Sequence, residues 1–406
     1  MDLMEPPVVQ SRTAAARAGG GLDIRHVVVT DRVGHPTEAN GVHNVARALV
    51  REQRAAGDAA SLILLANREV SVGEDATCPT RVIPLTGPRL RGRAVRLGGA
   101  ALAALLADAG TQTVLHIHGG REPLLVGLGR ALRARGVPYA ITVHGRFSHV
   151  FDPAGRLLKP RTAIYLALFE RGLLEGARFV QALASEERRI LSRIAPRARI
   201  EVVGNGAYAS RLIPGPWHTT ARPPSAHFPH FVFCGRYELA HKGLDLLLEG
   251  FAAYRHSGGT GRLTTIGTGP VREQLVQMAS RLGIAGSVRI EGPRFGAERE
   301  AIMAECDFCV MASRFEGVPL AALEAALLGL PLVVTAGTSL RAMVEAKRAG
   351  LPILDHTSAA VCAALHAAER LPPAEWQSRA AAAHAWARAA ADWTAIAAHL
   401  RQLYVP

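Results

Sequence analysis

Two glutamates stand in a strongly apolar stretch, residues 313–334, which reads SRFEGVPLAALEAALLGLPLVV. A carboxylate in apolar surroundings is costly unless it is paired or hydrogen-bonded, so Glu316 and Glu324 need a reason to be there. A predicted strand, DFCVMAS, ends just before Glu316, and ligands of open α/β sheets bind beyond the carboxyl ends of strands. At that position both carboxylates would accept hydrogen bonds from sugar hydroxyls. The alternative is a surface turn followed by an ordinary helix glutamate.

The same segment predicts a helix from about residue 320 to 328, after a turn at 313–319. Backbone N–H groups from Gly317 through Val318 to Leu320 would open this helix. A helix N-terminus attracts anions, and it suits a diphosphate. The segment therefore offers both carboxylates and an anion site.

Two cations follow the predicted strand HFVFCG, in the stretch GRYELAHKG at 235–243. Arg236 leaves the strand end, and Lys242 lies near the start of the next helix. Cations beside a cleft would hold a diphosphate and neutralise a departing phosphate. Because the chain contains no DxD motif, fixed cations and helix dipoles would do the work of a metal, and no metal or cofactor is expected. The alternative is two solvated basic side chains.

Weaker signals lie at three other predicted strand ends. The stretch IGTGP places Gly267 and Gly269 after a strand, where they would let backbone approach a ligand or simply make a turn. ITVHGR places His144 at a strand end in the first half of the chain, and HIHGG (116–120) ends another strand. A histidine in that position is either a structural residue or a group facing the site.

Composition limits the class of protein. The 406 residues are 49% hydrophobic and 20% charged, which excludes a disordered chain. The net charge is +13, but arginine is spread along the chain and aromatic residues are only 5%, so no nucleic-acid partner is expected. Five cysteines, an odd and sparse set, fit a reducing compartment. Neither a signal peptide nor a membrane-spanning run is evident.

Strands and helices alternate in both halves of the chain, which predicts doubly wound parallel sheets in two similar α/β domains with a cleft between them. The predicted organisation is a flexible tail at 1–22, an N-terminal domain at 23–208, a Pro-rich linker at 209–229, a C-terminal domain at 230–374 and a final helix at about 375–406. Trp386, Trp393, Ile396, Leu400 and Leu403 give this last helix one apolar stripe.

These motifs occur together and in order, and the chain resembles the family 4 glycosyltransferases of GT-B architecture. The segments that carry the resemblance are GRYELAHKGLDLLLEGF, IGTGP, ITVHGR and DFCVMASRFEGVPLAALEAALLGLPLVV, the last containing the E-x7-E element of the family. The resemblance covers roughly residues 24–405 and is clearer in the C-terminal half. It implies two Rossmann-like domains facing a cleft, with the final helix crossing back to the N-terminal domain.

The resemblance also implies the roles of the candidate residues. The nucleotide sugar would bind mainly to the C-terminal domain, and the sugar would be transferred with retention of its anomeric configuration, without a metal. The implied contacts are Arg236 and Lys242 with the donor diphosphate, Glu316 with hydroxyls of the transferred sugar, Glu324 with the ribose, Gly267, Gly269 and Arg294 with the nucleotide, and His144 with the sugar at the reacting centre.

The chain departs from the family pattern in two loops. Where the family often has a Gly-Gly pair near the donor phosphate, this chain has EANGVHN, with Asn40 and Gly41, and Gly41 is the candidate for that contact. Beyond Thr335 the usual glycine-rich turn is replaced by AGTSLRAMVEA. No role is carried over to that segment.

The acceptor is expected to be a glycan or a lipid-linked molecule, in the synthesis of a polysaccharide or glycoconjugate. RLRGRAVR (89–96) has four arginines, which would meet an anionic membrane surface or acceptor, or would simply be a solvated basic helix start. The expected location is the cytoplasm, with possible attachment to the inner face of the membrane. Other readings are a silent sugar-nucleotide or glycan-binding protein on the same fold, and another GT-B enzyme such as an epimerase or phosphorylase.

Overall fold

The computed structural model describes residues 21–30, 41–67, 72–90, 93–147, 150, 160–208 and 229–405. The described chain forms two compact units. The N-terminal unit contains the described residues up to 205 together with 393–405, and the C-terminal unit contains those from 206 to 392. Each unit is built on its own parallel sheet.

The sheet of the N-terminal unit has seven parallel strands in the order β3-β2-β1-β6-β7-β8-β9. The strand order reverses between β1 and β6, and such a switch point is where α/β sheets form ligand sites. Most residues of β1, β2 and β6 are buried, because helices cover both faces of a parallel sheet. The strands are β1 Asp23–Thr30, β2 Ala59–Ala66, β3 Thr80–Pro84, β6 Thr113–His118, β7 Tyr139–Thr142, β8 Val180–Ala182 and β9 Ile200–Val202, and a separate antiparallel pair is formed by β4 Arg89–Leu90 and β5 Arg93–Ala94.

The helices of the N-terminal unit come from both ends of the sequence. The last of them, α15, packs against the first, α1. A single π-helical segment lies between α4 and α5. The helices are α1 Gly41–Ala55, α2 Gly99–Leu105, α3 Pro123–Ala134, α4 Pro160–Tyr165, the π-helix Leu166–Glu170, α5 Arg171–Glu175, α6 Ser185–Ile194 and α15 Trp393–Tyr404.

The sheet of the C-terminal unit has six parallel strands in the order β12-β11-β10-β13-β14-β15, so its switch point lies between β10 and β13. Its strands are β10 His230–Cys234, β11 Arg262–Ile266, β12 Val288–Ile290, β13 Phe308–Met311, β14 Leu332–Thr335 and β15 Gly350–Ile353. Its helices are α7 Leu239–Lys242, α8 Leu244–His256, α9 Arg272–Arg281, α10 Gly296–Ala304, α11 Leu320–Leu327, α12 Arg341–Lys347, α13 Ser358–Glu369 and α14 Pro373–Ala390.

The predicted fold class, two doubly wound parallel α/β sheets, is confirmed. The end of the chain differs from the prediction, because two helices, α14 and α15, replace the single helix at 375–406. The break has a backbone cause: Ala391 O accepts a hydrogen bond from Ala207 N at 2.8 Å, and Asp392 forms a bridge with Ala207. The predicted stripe is therefore divided between the units, with Trp386 in the C-terminal unit and Trp393 in the N-terminal unit.

The basic segment at 89–96 also differs from the prediction. Its described residues form the β4–β5 pair rather than a helix start, and α2 begins only at Gly99. Arg91 lies outside the described residues, as do most of the predicted tail at 1–22 and of the linker at 209–229. The predicted domain boundaries thus stay predictions. None of the helices in the described part of the chain has the length and apolar character of a membrane span.

Candidate functional site

An ion pair occupies the switch point of the C-terminal sheet. Lys242, the last residue of α7, follows β10, and Glu316 follows β13; Nζ of the lysine pairs with Oε1 of the glutamate. Ser313 donates a hydrogen bond from Oγ to Glu316 Oε2 at 2.9 Å. The two charged side chains are only 14% and 18% exposed, so the attraction between them is screened less than in an exposed pair. The structure therefore brings together two of the candidates predicted from separate motifs.

The loop that carries Glu316 is fixed by its neighbour Arg314. The Arg314 guanidinium binds Asp245 through two nitrogens at 2.8 and 2.7 Å, and it also donates to the carbonyl of Leu239 at 2.8 Å. Burial raises the pKa of the Asp245 carboxyl, but the Arg314 bonds outweigh burial and hold that pKa below its ordinary value. A bidentate pair of this kind is both strong and directional. It joins α8 to the loop after β13 and so fixes the position of Glu316.

Glu324 lies inside α11, one turn beyond its start, and its partner is Arg299 of α10. Arg299 Nη2 donates to Glu324 Oε1 at 2.7 Å, and Glu324 Oε2 is buried without a hydrogen-bond partner. Burial raises the pKa of the Glu324 carboxyl, and the nearby Arg299 opposes that rise. One oxygen is thus satisfied by a cation that the sequence motifs did not reveal, and the other has its hydrogen-bonding capacity unused.

The helix N-terminus predicted at this site is present. α11 begins at Leu320 after Pro319, and no side chain caps its first turn. Gly317 and Val318 are buried in the turn before it, and Gly317 O accepts from Ser339 N at 3.3 Å. The free N–H groups of the first turn make this end of the helix suited to an anion.

The glycines of IGTGP have a packing role. A Cβ on Gly267 would lie 1.9 Å from the carbonyl oxygen of Gly235, and a Cβ on Gly269 would lie 2.2 Å from that of Tyr237. Tyr237 N also donates to the carbonyl of Thr268 at 2.8 Å. The turn after β11 is therefore pressed against the loop after β10. Contact of either glycine with a nucleotide stays a prediction.

The two candidate arginines pair with carboxylates other than Glu316. Arg236 is exposed and pairs with Glu238 at 3.0 Å. Arg294 follows β12, the edge strand, two positions away from the switch point, and it pairs with Glu291 at 2.8 Å and Glu298 at 2.9 Å. Both guanidiniums therefore have carboxylate partners within this unit.

The remaining candidates belong to the N-terminal unit. His144 follows β7 with φ = 50°, in the left-handed region that few residues other than glycine adopt. Gly145 donates from its N–H to Glu187 Oε1 at 2.6 Å, and this buried carboxylate also accepts from Leu183 N at 2.7 Å. The Glu187 carboxylate therefore fixes the turn after His144. Backbone strain such as the positive φ of His144 concentrates at functional sites. Gly41 is the first residue of α1 and is exposed, whereas Asn40 lies outside the described residues.

Sequence reasoning missed Arg299, Ser313 and the Arg314–Asp245 pair. Ser313 and Arg314 were available, since they open the segment that contains Glu316. Arg299 lies in α10 with no motif around it, and its partner is 25 residues away. Only the fold, which places Arg299 of α10 beside Glu324 of α11, brings the two charges together.

Two family models match the chain. The model described as "Glycosyl transferases group 1" matches residues 228–368, and the one described as "Glycosyl transferase 4-like domain" matches residues 40–206. Among curated proteins, the glycogen synthase of Mycobacterium tuberculosis (strain H37Rv) is 28% identical over 208 residues, which is 51% of this chain and 49% of that protein. The chain spans about half the length of the curated relatives it matches.

Solved structures are similar in fold over nearly the whole chain. Sucrose-phosphate synthase from Thermosynechococcus elongatus has a TM-score of 0.73 at 19% identity, and the match covers 94% of this chain and 98% of that one. Anabaena HepE, in complex with UDP-glucose, has a TM-score of 0.68 at 16% identity and covers 93% and 98%. At these identities the likeness establishes the GT-B fold.

Proposed function

Because the chain belongs to the glycosyl transferases of group 1, we propose that it moves a sugar from a nucleotide-sugar donor to a glycan or lipid-linked acceptor, with retention of anomeric configuration. The observation that carries the proposal is the Lys242–Glu316 pair at the switch point of the C-terminal sheet. It sets a cation and a carboxylate side by side, as recognition of both a diphosphate and a sugar requires.

In this proposal the donor diphosphate lies at Lys242 and the N-terminus of α11. An ammonium group has three N–H donors, so Lys242 can hold Glu316 and a phosphate oxygen together. Charge builds up on the departing phosphate during transfer, and a preorganised cation stabilises it. Arg236, whose guanidinium is exposed, supplies a second cation once it turns from Glu238. No metal is assigned to this step.

Glu316 is proposed to accept hydrogen bonds from the transferred sugar, and Glu324 from the ribose. The Ser313 and Lys242 bonds fix the Glu316 carboxylate, so little conformational entropy is lost when the sugar binds. Glu324 offers Oε2, which is buried and without a hydrogen-bond partner. The nearby nucleotide contacts proposed for Gly267, Gly269 and Arg294 complete the donor site.

His144 is proposed to act beside the reacting carbon. Retention would follow from attack on the same face as the leaving group, with the departing phosphate taking the acceptor proton. The relative HepE was solved with UDP-glucose, so uridine nucleotides are the first donors to try. The acceptor class, attachment to an anionic membrane and the cytoplasmic location are predictions that rest on the sequence.

A nucleotide screen tests the donor site. Thermal unfolding is followed with UDP, GDP, ADP and their common sugar conjugates, without added metal and again with Mg²⁺. A rise in Tm with one nucleotide identifies the base, since a ligand that binds only the folded state stabilises it. The absence of a shift with every nucleotide at millimolar concentration would overturn the donor site and favour a catalytically silent glycan-binding protein on the same fold.

Stereochemistry is tested once a donor and an acceptor are known. The anomeric configuration of the first product is read by proton NMR before it can equilibrate. Retention predicts the same configuration as in the donor. An inverted product would contradict the same-face mechanism but leave the donor site intact.

A further inference from the structure

Three histidines form a row across the switch point of the N-terminal sheet. His26 lies on β1, His118 ends β6, and His144 follows β7, and these three strands are neighbours. His26 Nδ1 is 2.8 Å from His118 Nε2, and His118 Nδ1 is 2.9 Å from His144 Nε2. The ring planes differ by 28° in each pair, and the centroids are 5.1 and 5.2 Å apart. The rings therefore meet edge to edge, with each hydrogen bond along the line that joins them.

The far end of the row is set by Gln53 of α1, whose Oε1 lies 2.8 Å from His26 Nε2. In this orientation of the Gln53 amide, which leaves its own Nε2 buried without a hydrogen-bond partner, the oxygen that faces His26 only accepts, so His26 carries its proton on Nε2 and presents Nδ1 as an acceptor. His118 must then donate from Nε2, and its Nδ1 must accept from His144 Nε2. Each of the three rings therefore donates from Nε2, and the Nδ1 atoms of His26 and His118 accept.

The row consists of neutral imidazoles. A charged ring would donate from both nitrogens and could not accept from its neighbour. Burial lowers the pKa of His26 to about 4 and that of His118 well below its ordinary value. Burial, followed by the charge of Arg146, lowers the pKa of His144 to about 3. Near pH 7 each ring therefore carries a single proton.

The near end of the row is a nitrogen with no assigned partner. His144 Nδ1 accepts no hydrogen bond from the described residues, and His144 as a whole is half-buried. The Gly145–Glu187 bond fixes the backbone of the left-handed turn at His144, and the bond to His118 orients the ring. The lone pair of Nδ1 is thus available to a ligand that donates a hydrogen bond, such as a sugar hydroxyl.

We propose that His118 and His26 are positioning residues, which hold His144 in the Nε2–H tautomer so that its Nδ1 accepts a hydrogen bond from a hydroxyl of the bound sugar. The role assigned to the sugar rests on the proposed function, whereas the tautomer does not. This arrangement would select by hydrogen bonding: Nδ1 binds a hydroxyl, which can donate a hydrogen bond, and disfavours a group that has no donor.

A metal site is the competing use of these side chains. Ring nitrogens of His26, His116 and His118 lie within 4.8 Å of one another. However, His116 and His118 stack with centroids 4.6 Å apart and planes 13° apart, so their lone pairs run side by side and do not converge on one point. His116 is also engaged elsewhere, with Nε2 2.6 Å from Thr142 Oγ1 and Nδ1 bonded to the Tyr404 hydroxyl. The geometry favours hydrogen bonding.

The tautomer is measured directly by NMR on the full chain labelled with ¹⁵N histidine. Two-bond proton–nitrogen correlations distinguish a protonated ring nitrogen from a bare one, and the His144 signals are those lost in His144→Gln. The expected result is a protonated Nε2 and a bare Nδ1 from pH 5 to pH 8. A proton on Nδ1 of His144 in the wild-type protein would overturn the proposal.

Two substitutions at one position test the positioning role. His118→Asn keeps an oxygen near the place of Nδ1 and should preserve the His144 tautomer. His118→Leu removes the acceptor, and His144 should then show a mixture of both forms. The matched control is His116→Asn, which is equally buried but outside the row and should leave the His144 signals unchanged. If His118→Leu left the His144 tautomer unchanged, the row would have no positioning role.

Turnover provides a second readout. His118→Leu should lower kcat about tenfold with little change in KM for the donor, whereas His118→Asn should recover most of the loss. Equal losses in both variants, without a tautomer change, would mean that the residue is only structural. Nucleotide binding to the C-terminal unit is measured on each variant by thermal shift. Failure of that binding in the wild type counts against the proposed function and leaves the tautomer result standing.

Discussion

Lys242 and Glu316 form an ion pair although 74 residues separate them in the sequence. The pair exists because β10 and β13 are neighbours at the switch point, so the loops that follow them meet. Glu316 is held by Ser313 as well, so its carboxylate is fixed before any sugar reaches it.

Removing either charge should abolish most turnover. Glu316→Gln and Lys242→Met are each expected to lower kcat by about 10²–10³, the range typical of a lost preorganised group. Lys242→Met should also weaken nucleotide binding, as measured by thermal shift and steady-state kinetics. Lys347→Ala, at an exposed lysine of α12, is the control and should behave as wild type. A normal rate for Lys242→Met would remove this lysine from the diphosphate site.

Arg299→Met should destabilise the C-terminal unit. The substitution leaves the mostly buried Glu324 carboxylate without its cation, at a cost of about 1–3 kcal/mol in the free energy of unfolding. Urea denaturation measures this change, and Arg281→Met, at an exposed position on α9, should stay within about 0.5 kcal/mol of wild type. Equal stabilities for the two variants would show that the Arg299–Glu324 pair contributes nothing.

Gly267→Ala should cost stability, because the new methyl group would lie 1.9 Å from the Gly235 carbonyl oxygen and force the two loops apart. A loss of about 1–3 kcal/mol is expected for such overpacking. Gly286→Ala is the matched control, since a Cβ there meets nothing within 4 Å. Thermal unfolding of both variants checks the prediction, which fails if Gly267→Ala is as stable as the control.

Mild acid should destabilise the N-terminal unit through its buried histidines. Burial lowers the pKa of His26 and of His43 to about 4, so below about pH 6.5 the unfolded chain binds protons that the folded chain does not. Stability is therefore complete above pH 6.5 and falls as the pH drops toward 4, by up to about 1.4 kcal/mol per pH unit for each group. Urea midpoints at pH 7 and pH 5 measure the effect.

A variant identifies the source of that pH dependence. His43→Leu should flatten the dependence by one group, because this buried imidazole is then absent from both states. Identical pH slopes for wild type and His43→Leu would mean that His43 is not protonated on unfolding in this range.

Arg401→Met should loosen α15 from the N-terminal unit. Arg401 Nε lies 2.9 Å from Asp58 Oδ2, and the Asp58 side chain is fully buried. Because Arg401 itself is 36% exposed, a loss of about 1–2 kcal/mol is expected rather than the full cost of a buried pair. Hydrogen exchange along α15 should rise, and unchanged exchange would show that packing of its apolar face alone holds the helix.

Much of the fold could be predicted because the patterns of strands and helices depend on residues that are close together in the sequence. The strand ends before Glu316 and His144, and the loop and helix after β10 that carry Lys242, were predicted for that reason. The short strands β3 and β15, which have no strong pattern, were not predicted. The break between α14 and α15 was also missed, because it depends on a backbone bond from Ala207, which is remote in sequence.

The sequence could not indicate which side chains of the site form pairs with one another. Arg299 has no motif around it, and its partner Glu324 lies 25 residues away, on another helix. The histidine row depends on the register of β1 and β6, which pairs His26 with His116 and so brings His118, two residues further on, within hydrogen-bonding distance of His26. His26 opens the apolar stretch HVVVT, and its neighbours in the sequence do not indicate which side chain it will contact.

The return of the chain to its first unit has a consequence for biosynthesis. The sheet of the N-terminal unit is complete by residue 202, yet α15 adds Leu400, Leu403 and Tyr404 to its buried interior. Until residues 393–404 leave the ribosome, the side chains that α15 covers stay exposed, while the C-terminal unit already has all of its strands. The unit that is translated first is thus the one that finishes folding last, and during that interval its apolar surface needs protection from aggregation.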